Sequence, residues 1–490
     1  MSAPQATPPT NAVPAGASSG GEYTLRVPPM DKAFYGVGEM PITIAMVMFG
    51  LFVLFFYSSV MGLPPALVGV ASAAGLIWDA VIDPYIGYRS DKSRSRFGRR
   101  HVYMLAGAVL MGPFLWLLFS PPQNISRPLL FGWLLASTIL FRFTSAIYRI
   151  PYLSLGAEMS SGYHERTVIV AVRSLFGLLG TLLAASLSFV LFFPNRTPGV
   201  DPKLSFEGYP RMGLTLGLVM VFCGLATVFG TKRYRHPPAG NASCPATAAS
   251  SGFLAGFAGA WSNRNFRSIW LFAVFFFLGV VVNSAIAIHF FSWYVRITDS
   301  DSLGRIQSFF YVGALGGVIF WLGLSKRAEK KNLSLVSTVA TASLMAAATL
   351  LFGEGRPLGT GNPIPLYAGN FLAGFFASAV WVLPASMLAD VADEEDLLRG
   401  GRREGIFFGI LNFGEKIAAA LSLLVGGGLL EYYVQLEPGQ VQSASASDRI
   451  GVLYGIVPAF FLLLAGVSLR RYRLDRAGVE RVQAALAARR

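Results

Sequence analysis

Long apolar runs recur along this chain and leave only short polar segments between them. Hydrophobic residues make up 53% of the 490 residues and charged residues only 13%, whereas about a quarter of the residues in a soluble domain are charged. A helix of roughly 20 apolar residues crosses a lipid bilayer. The runs therefore predict a membrane protein with twelve helices, at 33–60, 65–89, 102–120, 128–156, 167–194, 209–231, 266–296, 303–324, 333–353, 364–391, 405–432 and 449–470.

A polar segment rich in Pro, Ala, Gly and Ser separates the sixth predicted helix from the seventh. We expect it to be a cytoplasmic linker, residues 232–265, between two six-helix bundles at 29–231 and 266–470. Residues 1–28 have the composition of a disordered tail, and residues 471–490 form a second tail. This all-α layout of two bundles around a central cavity is that of the major facilitator fold.

The net charge of +14 comes mainly from clusters of Lys and Arg between the apolar runs. If the N-terminus is cytoplasmic, most of these clusters fall on the cytoplasmic side, as the positive-inside rule requires. We therefore expect both termini in the cytoplasm, anionic lipid as a partner and no nucleic acid. With two Cys and four scattered His in the chain, neither a metal site nor a cofactor is expected.

Two acids interrupt the second apolar run. Asp79 and Asp83 are four residues apart, so they share one face of a helix. Acids inside a membrane usually face the interior of the bundle and serve ions, protons or substrate. The spacing predicts a site for Na⁺ or a shared proton. A pair of salt bridges that only holds the helices together is the alternative.

A basic loop follows this helix and resembles the signature loop of the major facilitators, which implies that its residues form a cytoplasmic gate between the two bundles. The other interpretation is that the charges only set the topology. The acidic end of the tenth helix, with the arginines that follow it, is a candidate for a second gate, and a plain solvated loop is its alternative. The candidate gate residues are Asp91, Arg94, Arg96, Arg99, Arg100, Asp390, Asp393, Arg402 and Arg403.

Several motifs occur in order along most of the chain. They are W-D-A-x-x-D-P-x-x-G from Trp78, S-R-x-R-x-G-R from Ser93, "RIPYLSLGAEMS" from Arg149, "AVRSLFGLLG" from Ala171, and "MLADVADEEDLLRGGRREGIFFGILNFGEKIAAALS" from Met387. Together they resemble the glycoside–pentoside–hexuronide:cation symporters, a family of major facilitators. The resemblance implies the same fold and cation-coupled transport.

The resemblance also implies roles for single residues. Asp79 and Asp83 match the two acids of the second helix that bind the coupling cation. Lys416 matches a lysine of the eleventh helix near that cation, and Arg173 matches an arginine of the fifth helix in the substrate cavity. For Lys416 and Arg173 the alternative is a long side chain that reaches the membrane surface.

The chain departs from the family pattern at two places. Arg149 replaces a third acid, so its guanidinium can pair with Asp79 or Asp83 and take the place of the cation. Proton coupling then rivals Na⁺ coupling, while a pair of Arg149 with Glu158 is the alternative. On the first helix the family's Lys-Asp pair is replaced by Ile42 and Thr43. Tyr35, Glu39, Thr43 and Trp78 are therefore the candidate solute-binding residues.

These observations predict a secondary transporter that couples a monovalent cation, Na⁺ or H⁺, to the symport of a sugar or glycoside by alternating access. The protein is expected to act as a monomer in a bacterial inner membrane. A symporter of an amphipathic solute such as a lysolipid and an uncoupled uniporter are the alternatives within this class. An integral membrane enzyme and a non-transporting sensor are the alternatives outside it.

Overall fold

The computed structural model describes residues 27–93, 95–160, 163–195, 201–235, 259–400, 404–437 and 442–489. Twelve helices in these residues are long and apolar enough to cross a membrane, which confirms the predicted number and the all-helical class. We label them α1 to α12. They are Pro29–Val60, Pro65–Lys92, His101–Leu118, Arg127–Gly156, Val168–Phe192, Gly208–Gly230, Arg264–Tyr294, Ser300–Ser325, Lys330–Leu351, Ile364–Leu398, Ile406–Val434 and Ala444–Leu469.

The helices pack as two bundles. In the first half, α1 contacts α5 and α6, and α3 contacts α4 and α6. In the second half, α7 contacts α11 and α12, and α10 contacts α8 and α9. Three helix pairs, α1–α7, α2–α11 and α5–α8, join the halves. This is the two-bundle architecture expected of a major facilitator.

The two ends of the molecule differ in charge. The connections α2–α3 and α8–α9 lie at one end and carry Arg99, Arg100 and Lys330. We call this the basic end. The connections α5–α6 and α7–α8 lie at the other end, which we call the opposite end. Each span runs from one of these two ends to the other.

The predicted end of the tenth span at residue 391 is wrong, because the helix continues through the acidic run to Leu398 and stops before Gly400, whose φ is +68°. Part of the expected C-terminal tail is a helix, α13, at Arg476–Arg489. Most of the expected N-terminal tail (residues 1–26) and of the expected linker (residues 236–258) lies outside the described residues.

Glycines allow α8 and α10 to pack with their backbones in contact. A Cβ atom at Gly313 would lie 2.0 Å from the carbonyl oxygen of Phe371, and one at Gly374 would lie 1.9 Å from that of Phe310. No side chain can be added at this distance unless the helices separate. Such close approach is a common way for membrane helices to associate.

We predict that Gly313→Leu lowers the melting temperature of the purified protein in detergent by about 5 °C or more, since it forces α8 and α10 apart. Gly316→Leu is the matched control, because a Cβ atom at Gly316 meets no atom within 4 Å. Equal melting temperatures for the two variants would contradict this packing. Thermal unfolding followed by size-exclusion chromatography measures the difference.

Candidate transport site

Two ion pairs join α2 to α4 deep in the first half. Arg142 Nη1 donates to Asp79 Oδ2 at 2.8 Å, and Arg149 Nη2 donates to Asp83 Oδ2 at 2.5 Å. The side chains of both acids are largely buried, with exposed fractions of 9% and 12%. Arginines seven residues apart lie two helical turns apart on one face. The acid face of α2 therefore matches an arginine face of α4.

A third cation reaches the same carboxylate from the other half. Lys416 on α11 donates through Nζ to Asp83 Oδ2, the oxygen that also accepts the bond from Arg149. The second oxygen, Asp83 Oδ1, is buried and has no hydrogen-bond partner among the described residues. Asp83 thus links one helix of each half and keeps one free acceptor.

The structure decides between the alternatives for Arg149 and Lys416. Both point into the bundle instead of reaching the membrane surface, since both meet Asp83. The other possible partner of Arg149, Glu158, is occupied by Arg99 and Arg100. Arg149 therefore pairs with Asp83 at the position where the family pattern leads one to expect a third acid, and Lys416 pairs with the same carboxylate.

Sequence reasoning missed Arg142. This residue pairs with Asp79, and its guanidinium lies 4.2 Å from the ring centre of Phe49 on α1. The available signal was its position two turns before Arg149 in an apolar helix. A second buried arginine on the same face implies a second acid opposite it.

The other candidate solute residues gather on α1 and α5. Glu39 Oε2 lies 3.6 Å from Arg173 Nε, and both side chains are partly exposed, at 17% and 28%. Glu39 Oε2 is buried as an atom and has no hydrogen-bond partner among the described residues. A carboxylate and a guanidinium in loose contact can accept and donate hydrogen bonds to a polyol.

The remaining three candidates are differently placed. Tyr35 is 1% exposed and its ring stacks on that of Tyr152, 4.7 Å away. The Thr43 hydroxyl donates to the backbone carbonyls of Glu39 and Met40 on its own helix. Tyr35 and Thr43 therefore shape the cluster without offering a free polar group to it.

Trp78 packs against the buried cluster between α2 and α4. Its indole nitrogen is buried and has no hydrogen-bond partner among the described residues. It lies next to Asp79 in the sequence but packs with apolar side chains. Its role at the site is to shape the wall beside the acids.

The predicted gate residues of the α2–α3 loop pair within the first half. Arg100 Nη2 lies 3.3 Å from Asp91 Oδ1 and 2.9 Å from Glu158 Oε1, and Arg99 also pairs with Glu158. Arg96 is exposed, and Arg94 lies outside the described residues. In this conformation these groups tie the loop to α4 and not to the second half.

Among the predicted gate residues at the end of α10, Asp390 also pairs within its own half. Asp390 pairs with Lys330 of α9 at 2.6 Å, within the second half, and Asp393 is half-buried nearby in sequence. Arg402 and Arg403, the expected partners, lie outside the described residues. Lys330 was not predicted as a gate residue. It pairs with Asp390 and so joins α9 to α10.

At the opposite end two loops hold the halves together, and we call this contact the loop clasp. Lys203 is 1% exposed and lies in the α5–α6 loop. Its Nζ is 2.6 Å from Asp201 Oδ1 and 3.4 Å from the carbonyl oxygens of both Ile297 and Thr298 in the second half. Burial lowers the pKa of the Lys203 ammonium, and the neighbouring Asp201 carboxylate opposes that shift.

The clasp has a second part beside the start of α8. The Asn195 amide nitrogen donates to the Asp299 carboxylate, and Asn195 Oδ1 accepts from the Ser300 amide at 3.3 Å. Asp299 also caps α8, since its Oδ2 accepts from the Ser302 amide at 2.9 Å. The loop clasp thus consists of the first-half residues Asn195, Asp201 and Lys203 and the second-half residues Ile297, Thr298, Asp299 and Ser300.

The contacts between the two halves are distributed unevenly between the two ends of the molecule. Bonds between the halves are found at Asp83 and toward the opposite end, where Ser58 also contacts His289 at 3.3 Å. At the basic end the described ion pairs each lie within one half. A bundle of this kind is closed at one end around a central group of charges.

Comparison with known proteins identifies the family. The sequence profile of the MFS/sugar transport protein family matches residues 34–476, most of the chain. The chain belongs to this family. The glycoside–pentoside–hexuronide symporter resemblance found in the motifs is thereby confirmed. The chain is a transporter and not a membrane enzyme.

Two curated relatives cover nearly the whole transporter. The isoprimeverose transporter of Lactiplantibacillus pentosus is 24% identical over 460 residues, which are 92% of this chain and 90% of the relative. The sphingosine-1-phosphate transporter MFSD2B of Mus musculus is 24% identical over 453 residues, which are 88% and 87% of the two chains. Similar identity thus links the transporter to relatives named for a sugar and for a lipid.

The fold matches solved transporters. A bacterial homologue of the human lysosomal transporter Spinster, in an inward-facing and unoccupied conformation, superimposes with a TM-score of 0.64 at 14% identity. The match covers 93% of this chain and 99% of the other. At this identity the likeness concerns the fold alone.

We predict that a disulfide across the loop clasp blocks transport. Asn195→Cys with Asp299→Cys, in a background with Cys223→Ala and Cys244→Ser, should cross-link and abolish exchange of solute in proteoliposomes. Reduction should restore the exchange, because the lock only prevents the halves from separating. Any measurable substrate of the transporter serves for this assay.

A matched control places the cross-link within one half. Glu207→Cys and Arg211→Cys are four residues apart in the first half, where the native side chains approach to 3.7 Å. This pair should cross-link and leave exchange intact. Full exchange through the cross-linked Asn195–Asp299 pair would show that the clasp does not open during transport.

Proposed function

We propose that this transporter is a symporter that moves a sugar or glycoside together with a monovalent cation by alternating access. It would act as a monomer in the inner membrane of a bacterium, with both termini in the cytoplasm. The Lys and Arg of the basic end support this orientation, since such residues concentrate on the cytoplasmic side. The clasped conformation would then be open toward the cytoplasm.

The shared carboxylate of Asp83 carries the proposal. It pairs with Arg149 in its own half and with Lys416 in the other half. A charge that binds near Asp83 competes with these cations and weakens the bond between the halves. Occupancy of the site is therefore linked to the relative stability of the two conformations, as coupling requires.

The same pairing bears on the identity of the cation. A Na⁺ ion needs oxygen ligands, but Oδ2 of Asp83 and Oδ2 of Asp79 already accept bonds from intrinsic cations. A proton needs only one carboxylate oxygen and no set of coordinating ligands. We therefore propose H⁺ as the coupling ion and keep Na⁺ as an outcome of the test.

The Glu39–Arg173 pair supports a polar solute. The Glu39 and Arg173 side chains are 17% and 28% exposed, so hydroxyl groups of a solute can bond to both. The isoprimeverose transporter among the relatives supports a sugar. The sphingosine-1-phosphate transporter supports an amphipathic solute as the second candidate, for which the same two groups would hold the polar head.

We predict that proteoliposomes accumulate a radiolabelled sugar when a proton gradient is imposed, and that Asp83→Asn reduces accumulation at least about tenfold by removing the bond between the halves. The panel includes isoprimeverose, other glycosides and sphingosine-1-phosphate. Proton and Na⁺ gradients are imposed in separate experiments. Glu354→Gln is the control, because Glu354 forms an exposed ion pair with Arg296 away from the site.

The outcomes separate the alternatives. Accumulation driven only by a Na⁺ gradient would identify Na⁺, and not H⁺, as the coupling cation. Uptake that does not depend on either gradient would indicate a uniporter in which the Arg149 guanidinium occupies the place of the coupling cation. Uptake of the lipid but none of the sugars, by well-folded protein, would overturn the sugar assignment.

A further inference from the structure

Among the described residues, an acid on α11 has neither an ion pair nor a hydrogen bond. Glu415 lies about one third of the way along α11, counted from its start at Ile406, and is half-buried. The other acids of the central region, Asp79, Asp83 and Glu39, each lie beside an arginine.

The position of Glu415 on α11 shows what it faces. Ser422, two turns further along the same face, donates to the carbonyl oxygen of Leu278 on α7 at 3.1 Å. Next to Glu415, Gly414 packs against the indole of Trp270, also on α7. Glu415 is therefore directed toward the side of α11 that packs on α7, away from the Lys416 face that meets α2.

The helices packed against α11 offer it no nearby cation. Residues 268–288 of α7 include no Asp, Glu, Lys, Arg or His, so that helix presents only apolar and neutral polar groups at this depth. Besides Glu415, the charged residues and histidines on α11 and its neighbours α2, α7 and α10 are Lys416, Glu431, Asp79, Asp83, Arg89, Asp91, Lys92, Arg264, Arg267, His289, Asp390, Asp393, Glu394, Glu395 and Asp396. Asp79 and Asp83 are paired on α2, Asp390 is paired with Lys330, and Lys416 is engaged by Asp83.

An ionised carboxylate without a partner is unfavourable in such a layer, and a bound proton removes that penalty. The net charge of the six central side chains is zero when Glu415 is ionised, because three carboxylates then accompany three cations. Protonation leaves one cation in excess. A solute with acceptor oxygens can satisfy that cation, so the proton and the solute favour each other's binding. The groups are Asp79, Asp83, Glu415, Arg142, Arg149 and Lys416.

We propose that Glu415 is the residue that binds the coupling proton. Asp83 on α2 then acts as the bond between the halves, through Lys416, and not as the proton acceptor. The proton moves from water in the cavity to a carboxylate oxygen of Glu415 and leaves by the same route after the halves have changed position. This proposal rests on the proposed proton-coupled symport and names its proton site.

The test compares Glu415→Gln, which mimics the protonated acid, with Glu415→Asp, which keeps a titratable group. Glu431→Gln is the matched control on the same helix, because the native Glu431 accepts a hydrogen bond from the Ala66 amide at 2.9 Å near the opposite end. Solute exchange without a gradient and accumulation driven by a proton gradient are measured for each variant. The solute is whichever member of the panel the wild type exchanges.

We expect Glu415→Gln to retain exchange, to lose its dependence on pH between about 5.5 and 8.5, and to lose proton-driven accumulation at least about tenfold. Glu415→Asp and Glu431→Gln should still accumulate solute. Accumulation by Glu415→Gln at the wild-type level would overturn the proposal and leave the symport intact. Absence of exchange in the wild type would instead count against the proposed solutes.

A second measurement does not need a solute. Infrared spectra of the protein in lipid, recorded across the same pH range, report the carbonyl band of a protonated carboxylic acid. We expect Glu415→Gln to remove a titrating band that the wild type and Glu431→Gln both show, and Glu415→Asp to shift it. An unchanged band in a folded Glu415→Gln protein would overturn the proposal.

Discussion

The carboxylate of Asp83 holds together three helices that belong to two halves of the transporter. Each charge in this group has left water for a largely apolar bundle, and its interactions repay that transfer only while the partners remain in place. Loss of one partner leaves the others uncompensated, at a cost of about 3–5 kcal/mol for a buried pair. The group therefore fixes the register of α2, α4 and α11, and it also makes that register sensitive to any added charge.

The loop clasp stabilises the same conformation by different chemistry. At the opposite end the halves are joined mainly by hydrogen bonds to backbone carbonyls and by the Asn195–Asp299 contact, with Lys203 almost completely buried. At the basic end the charges are satisfied within each half. Separation of the halves at the basic end thus breaks no described ion pair, whereas separation at the opposite end exposes a buried lysine. The ion pairs and hydrogen bonds described between the halves therefore lie at Asp83 and toward the opposite end.

The sequence predicted the spans and the acids, because both depend on local properties. Length and hydropathy determine a membrane helix, and two acids four residues apart must share a face. The ion-pair partners of the charged side chains could not be predicted in the same way. Arg142 has its acid on another helix, and Asp390 of α10 has its cation, Lys330, on α9. These are contacts between distant segments, and a one-dimensional pattern does not record them.

Glu415 illustrates the same limit in another way. In the sequence it stands directly beside Lys416, so a local interpretation would regard the two as neutralising each other. Consecutive residues of a helix point about 100° apart, and the lysine is directed across the halves to Asp83. The acid is left on the α7 side with an apolar neighbour. The surroundings of a carboxylate determine whether it binds a proton. Here Lys416 pairs with Asp83 and not with the adjacent Glu415.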